Sequence, residues 1–403
     1  MVVVTVLGAV CFAMLVLLTL LAIYQWLLAT ASMWPHSTPH RSAASKRSRF
    51  VILIPAHDEE SGLSSTLCSI TNVVYPRSLV HVVVVADRCH DATATVARRS
   101  GVQCLERGDG MPGKGAAIAW AVDRLRMSNT KYDALVIVDA DTVVDPQLLD
   151  AYDAALRNGH EIQQGYNYLS NPWETPFTRI IAVTSVLRNA LFYGGKERLG
   201  LSSMLSGTGM CFSRRVLDRY HWTALSVGED WEFSVLLLLN DEKIHFNRRA
   251  RTMARESKGF RQASSQRLRW ASGRQAVAGN GAGHLIREGL RHRRLDLVDA
   301  ALTLVAPTFS AQATLTLLCL VISMFVSVDP AWGFLLPWAV TMTGLLAIYF
   351  LIGVALTDAP ARALSGILLI PAFLPWRLAI EICGLLGYGR KQWVRTSRLP
   401  ASR

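Results

Sequence analysis

Hydrophobic positions fall into long uncharged runs at both ends of the chain and short alternating blocks between them. From Val2 to Ala29 no residue carries a charge. That run exceeds the roughly 20 residues that cross a bilayer. It lacks the basic start and short core of a cleavable leader, which predicts a retained anchor. Two further apolar runs, Ala300 to Val328 and Ala331 to Leu356, are separated by Asp329-Pro330 and predict two spans joined by a tight turn. Residues 363–388 are also long enough to span, but Pro371, Pro375, Arg377 and Glu381 interrupt them. Intramembrane charges are costly. A full crossing would also carry Arg390, Lys391, Arg395 and Arg398 outward, so the expectation is an interfacial or re-entrant helix with a cytoplasmic C-terminus.

The central segment changes period. Phe50 to Ile54, Val80 to Ala86, Val102 to Leu105 and Ala134 to Val138 are short apolar blocks of strand type. Helical patterns follow each: Ser64 to Ile70, Ala92 to Ser100, Ala116 to Arg126 and Pro146 to Asn158. Such alternation predicts an α/β domain with a parallel sheet. Ligands in these sheets bind beyond the C-terminal strand ends. Residues from Glu161 to Gly283 give mixed strand and helix signals with no repeat.

Charge fixes the orientation. The chain of 403 residues carries a formal charge of +12. Arg41, Lys46, Arg47 and Arg49 follow the first run; Arg287, Arg291, Arg293 and Arg294 precede the second. Basic residues flanking both ends of the central segment predict that it is cytoplasmic and that the N-terminus faces outward. Their place beside apolar runs favours a lipid-bilayer role over nucleic-acid binding. Seven scattered cysteines without a CxxC pair exclude a disulfide scaffold or a cysteine zinc site.

Four constellations carry chemistry. Asp139-Ala140-Asp141 ends a strand block, and two carboxylates at that spacing can share Mg²⁺ or Mn²⁺ with a diphosphate. The same pair also suits a solvated turn. Asp87 ends another strand and can accept from the N–H of a uracil base, whereas Asp91 reads as a helix cap. Glu229-Asp230 opens a later helix, where acids are favoured electrostatically; Asp230 there can act as general base on an acceptor hydroxyl. Gln266, Arg269 and Trp270 share one helix face, suited to a phosphate and a sugar ring, and equally to a membrane surface. Gly108 to Gly115 mimics GxGxxG and nearly matches a P-loop, but Gly115 stands where a Ser or Thr hydroxyl is required. A backbone-rich loop with Lys114 near a diphosphate is the remaining functional sense of that stretch.

Taken together, Pro55-Ala56-His57-Asp58-Glu59-Glu60, Asp87, Gly113-Lys114-Gly115, the Asp139/Asp141 pair, Glu229-Asp230 and the QxxRW string resemble family 2 glycosyltransferases. They are most similar to the membrane branch holding cellulose, chitin and hyaluronan synthases. The resemblance implies a GT-A fold and inverting transfer from a UDP-sugar. It assigns Pro55, Glu59, Asp87, Lys114, Asp139 and Arg269 to the nucleotide-sugar, Asp141 with Asp139 to the metal, and Glu229 with Asp230 to catalysis. Gly207, Thr208 and Gly209, within Ser206 to Cys211, resemble an acceptor loop, with Gln266 and Trp270 at the acceptor entrance. Trp393 to Arg398 is similar to a C-terminal motif that closes over the nucleotide, which adds Arg395 and Arg398. The chain departs from the family with His57-Asp58 in place of Tyr-Asn, and with Gly228 in place of Thr before Glu-Asp.

The expected layout is an N-terminal transmembrane helix (1–30), a linker (31–48) and a cytosolic GT-A domain with a C-terminal interface helix (49–284). A basic segment with two transmembrane helices (285–357) and an interfacial or re-entrant helix with the C-terminal motif (358–403) complete it. The expected activity moves a hexose or N-acetylhexosamine to a glycan or lipid-linked acceptor, in polysaccharide synthesis. So small a membrane domain would need a homo-oligomer or a partner membrane protein to enclose a polymer channel. The rivals are a lipid glycosyltransferase that adds one sugar, a transporter or receptor with a nucleotide-sensing domain, and a P-loop ATPase.

Overall fold

The computed structural model describes residues 2–34, 47–128 and 130–388. The C-terminal motif with Arg395 and Arg398, and most of the linker, lie outside the described residues.

A mixed eight-stranded sheet forms the centre, in the order β3-β2-β1-β4-β7-β6-β8-β5. In chain order these are β1 (Phe50–Ala56), β2 (Val80–Asp87), β3 (Gln103–Arg107), β4 (Ala134–Ile137), β5 (Thr142–Val144), β6 (Ile162–Leu169), β7 (Met210–Ser213) and β8 (His245–Ala254). The four strand blocks legible in the sequence are parallel neighbours. β7 then pairs antiparallel with both β4 and β6. Every side chain of β1 is buried. A strand covered on both faces has no polar alternation, which explains its unbroken apolar run.

The N-terminal helix Val2–Ser32, Phe309–Val326 and Pro330–Ala355 are long and apolar enough to cross a membrane. The expected span from Ala300 is not one helix. Leu295–Val305 is a separate helix, and the next begins at Phe309. Pro307 lacks the N–H a continuous helix requires. Leu295–Val305 buries Asp299, which receives Lys196 at 2.8 Å and the Tyr24 hydroxyl. Asp299 thus joins the N-terminal helix, through Tyr24, to Lys196 of the sheet domain. Gly195 closes the same junction: a β-carbon there would lie 2.1 Å from the Leu28 carbonyl oxygen.

Pro360–Leu385 is a fourth helical stretch of spanning length and apolarity. Both of its ends touch the sheet domain. Arg179 Nη1 donates to Ser365 Oγ at 2.7 Å, and Ser272 Oγ donates to the Tyr388 carbonyl.

Candidate active site

The strand ends of β1, β2 and β4 open into one cavity of about 1280 Å³. At its upper rim two loops are tied together. His57 Nδ1 donates to the Asp87 carbonyl at 2.6 Å, and the His90 amide donates to Asp58 Oδ1 at 2.6 Å. Asp58 has φ 53°. A short polar side chain tolerates that left-handed backbone, so Asp serves where the family often has Asn. Asp58, Cys89 and Asp91 are close enough to suggest a metal cluster. Their oxygens are instead engaged by backbone N–H groups of this turn.

Asp87 is buried at the end of β2. Its Oδ1 receives Arg107 Nη1 at 2.7 Å, and both side chains are under a tenth exposed. The parallel register sets Arg107 directly opposite Asp87. Arg107 Nη2 also donates to the Met111 carbonyl at 2.6 Å, fixing the glycine-rich loop beneath.

That loop delivers Lys114, first residue of the helix Lys114–Met127. Its ammonium donates to the Gly207 carbonyl at 2.6 Å and lies 2.6 Å from Asp139 Oδ1 and 3.7 Å from Glu229 Oε1. Burial opposes this charge, but Asp139, Glu229 and Asp230 outweigh it and push the lysine up to about 12. No P-loop hydroxyl fits at the next position. A β-carbon on Gly115 would lie 2.2 Å from the Ala224 carbonyl oxygen.

Asp139 and Asp141 are half-buried and line the cavity. The Asp139 amide donates to Thr208 Oγ1 at 3.0 Å. Gly207 and Gly209 flank Thr208 at φ 79° and 64°, a backbone only glycine adopts freely. A β-carbon on Gly207 would stand 3.3 Å from Lys114 Nζ and 3.6 Å from Asp230 Oδ2. The expected acceptor loop is thus wedged between the lysine and the acid pair.

Glu229 and Asp230 open the helix Glu229–Leu239. Burial raises both carboxyl groups above the usual range. For Asp230 the neighbouring Glu229 adds to burial, Lys114 opposes it, and the result is about 8. A carboxylate held near neutrality suits proton abstraction.

The helix Phe260–His292 brings Gln266, Arg269 and Trp270 to the same cavity. Arg269 is influenced most by burial, then by the opposing carboxylates of Glu229 and Asp139. Trp270 is 48% exposed at the opening, with the Arg267 guanidinium 5.0 Å from its ring centre. Pro55 and Glu59 also line the cavity.

The acids, Lys114, the loop at Gly207 and the QxxRW helix therefore meet in one place. The family described as glycosyltransferase like family 2 matches residues 48–273. The chain belongs to that family. A probable glycosyltransferase of Sulfolobus acidocaldarius is 26% identical over 341 residues, covering 80% of this chain and 70% of that relative. Probable glycosyltransferase YdaM of Bacillus subtilis (strain 168) is 24% identical over 234 residues, 56% of this chain; the match spans only 55% of YdaM. The mannosyltransferase PcManGT from Pyrobaculum calidifontis, solved with GDP-Man and Mn²⁺, superposes with TM-score 0.55 at 17% identity. It covers 96% of this chain and 100% of its own. That likeness concerns the fold, which is GT-A with apolar helices at both ends.

Sequence reasoning did not single out Arg107 or the cavity-lining Arg188. Each depends on packing that no local pattern reports. Arg107 had one available signal: the last residue of a strand that pairs with the strand of Asp87.

Proposed function

We propose that this family 2 enzyme transfers a hexose or N-acetylhexosamine from a UDP-sugar to a hydroxyl of a glycan or lipid-linked acceptor, with inversion, in polysaccharide synthesis. The observation that carries this reading is Lys114 bridging Asp139, Glu229 and Gly207 at the mouth of the Arg269 helix. Those contacts join donor-side and acceptor-side residues in one charge cluster.

In this reading Asp87, steadied by Arg107, accepts from the N–H of the uracil. Asp230 takes the proton of the acceptor hydroxyl as its oxygen bonds to the anomeric carbon. The bond from that carbon to the phosphate oxygen breaks on the opposite face, and UDP leaves with the electron pair. Arg269 and Lys114 offset the charge that develops on the diphosphate. Trp270 stacks on the acceptor sugar at the entrance. Gln266 bonds its hydroxyls.

A divalent cation fits the donor set. Asp139 and Asp141 present hard oxygen ligands to the cavity, which suit Mg²⁺ or Mn²⁺ when a diphosphate supplies further oxygens. Lys114 lies on one oxygen of Asp139, and Asp141 with Asp139 would hold the cation. The bound cation would stabilise the departing diphosphate.

We further assign the sheet domain to the cytoplasmic side of the inner membrane, from the basic flanks. The residue 360–385 stretch lies along the interface in this reading, because its two ends touch the same domain. The test of the activity is turnover by purified membranes with a panel of UDP-sugars and GDP-mannose, with Mn²⁺ or Mg²⁺. One UDP-sugar is expected to give UDP and labelled product, and Asp230→Asn to abolish it. Turnover of GDP-mannose alone would overturn the donor assignment. A single-sugar adduct would replace polymer synthesis by one lipid addition.

A further inference from the structure

The cavity does not end at the acid pair. Its volume exceeds the roughly 300–1,000 Å³ of a single small-ligand site, so it has room for a second substrate. Beside Asp230 it is also lined by Leu21, Phe309, Tyr349 and Phe373, which come from the apolar helices. Arg188, Arg267, Arg274 and Arg377 line the same cavity, and Thr308, next to Phe309, donates to the Glu381 carboxylate that Arg274 and Arg377 share.

These four cations face two carboxylates. Arg267 pairs with Glu256. Arg274 at 2.8 Å and Arg377 at 2.9 Å share the single carboxylate of Glu381. Arg377 Nη1 is buried without a hydrogen-bond partner among the described residues. Arg188 has neither a hydrogen bond nor an ion pair among the described residues. Its side chain is exposed to the cavity, yet the surrounding protein still pulls its pKa below the usual arginine range, chiefly by burial. Arg267 lies within electrostatic reach of both Arg188 and Arg377. Four guanidinium groups lining one cavity against two paired carboxylates leave an excess of positive charge that favours an incoming anion.

The backbone is shaped to present Arg188. Residues Leu187–Tyr193 form a π-helical segment directly after the helix Pro176–Val186. Such wide turns are rare and recur at functional sites. Here Leu187 is buried and Asn189 is held by the Asn167 and Ser185 carbonyls, both at 2.9 Å, while Arg188 between them lines the cavity.

We propose that Arg188, Arg267, Arg274 and Arg377 form the subsite for the phosphate of a lipid-linked acceptor. Its hydrocarbon lies along Phe309, Tyr349 and Phe373, and its nucleophilic hydroxyl reaches Asp230. The proposal rests on the glycosyl-transfer reading and names its acceptor. An aromatic and aliphatic far wall between membrane helices favours a lipid tail over an anionic glycan, which would carry its hydroxyls into that wall.

The test uses the full chain in nanodiscs of zwitterionic lipid, with radiolabelled farnesyl phosphate as probe. Farnesol, inorganic phosphate and a hexuronate oligosaccharide are the competitors. Farnesyl phosphate is expected to bind at least 10-fold more tightly than farnesol competes, the scale of charge-assisted hydrogen bonds. Arg188→Gln is expected to weaken it by a similar factor and Arg188→Lys by less, with UDP binding in Mn²⁺ unchanged in both. Matching melting curves exclude misfolding as the cause; the lysine variant keeps the comparison if the glutamine variant unfolds. Equal competition by farnesol, or unaltered binding in Arg188→Gln, would overturn the subsite. Displacement by the hexuronate or by inorganic phosphate as effective as that by unlabelled farnesyl phosphate would overturn the lipid assignment. Should UDP-sugars fail to bind wild type while farnesyl phosphate binds, the transfer reading falls and the anion subsite stands.

Discussion

Gly228 and Gly273 meet backbone to backbone. A β-carbon on Gly228 would lie 3.1 Å from the Gly273 carbonyl carbon, and one on Gly273 would lie 3.1 Å from the Gly228 nitrogen. This contact sets the QxxRW helix against the start of the acidic helix, and it accounts for Gly228 where the family often carries Thr. Gly273→Ala must push Arg269 away from Glu229 by a few tenths of an ångström. The expected loss is about 10-fold in kcat, since small misplacements of positioning groups are costly. Gly279→Ala is the control. It lies in the same helix with nothing within 4 Å, so it should stabilise by about 0.5–1 kcal/mol and leave kcat alone.

Arg107 and Asp87 form a buried pair at the end of β2, where the proposed reading seats the uracil. Arg107→Leu leaves the buried Asp87 only the more distant Arg88, at 3.8 Å, so the cost is at the low end of the about 3–5 kcal/mol for breaking a buried pair. The expected result is a lower melting temperature and a raised KM for the UDP-sugar, with kcat less affected. Arg107→Lys should restore part of the stability. Thermal unfolding and UDP titration check both; an unchanged KM would remove Arg107 from the nucleotide site.

The strands that carry Asp87 and Asp139 were legible because buried parallel strands form unbroken apolar blocks, and ligands gather at their ends. β5 was not. Its three residues form a strand only by pairing with β8, Val143 opposite Met253. The run from Ala300 reads as one span because hydropathy does not register that Pro307 separates the helix ending at Val305 from the one beginning at Phe309. The acidic residues that line the cavity are legible in the sequence because short side chains at strand ends or helix starts announce their place. Arg107 and Arg188 are not, because long cationic side chains acquire partners only through register and packing.

Lys114 contacts Asp139, Glu229 and the Gly207 carbonyl, which the proposed reading divides between donor and acceptor, so its loss should affect more than binding. Lys114→Met removes the cation that lowers both Glu229 and Asp230, which raises both carboxyl groups further. The acidic limb of the pH–rate profile should move to higher pH, and kcat/KM should fall by about 10² or more. Lys114→Arg should not restore it. The ammonium is held at 2.6 Å by both the Gly207 carbonyl and Asp139, a point-charge geometry that a planar guanidinium does not reproduce. Steady-state profiles from pH 6 to 9.5 test the shift.

The interfacial reading of residues 360–385 predicts one-sided labelling. Single cysteines replacing Leu368, 88% exposed, and Tyr388, 63% exposed, should react with an impermeant maleimide only from the side of the sheet domain or not at all. Val328→Cys, at the turn between two spans and 86% exposed, should react only from the other side. Labelling of Tyr388→Cys from the Val328 side would mean that the fourth stretch crosses.

Asp230 links activity to stability with opposite signs. An unfolded aspartate titrates near about 3.9, whereas burial and Glu229 hold Asp230 up to about 8. The folded chain therefore prefers the protonated form. Its stabilising contribution is full below about pH 4 and is lost as pH rises through about 8. Asp230→Asn removes the ionisation, so the variant should melt progressively higher than wild type as pH rises from 6 to 9. The base form needed for proton abstraction grows over the same interval. In wild type kcat/KM should rise with pH toward a plateau above about 8, while Asp230→Asn stays about 10² to 10⁴ lower throughout. A variant that is both inactive and more stable at pH 9 separates a catalytic carboxylate from a structural one, because loss of a structural carboxylate would lower the melting temperature at that pH.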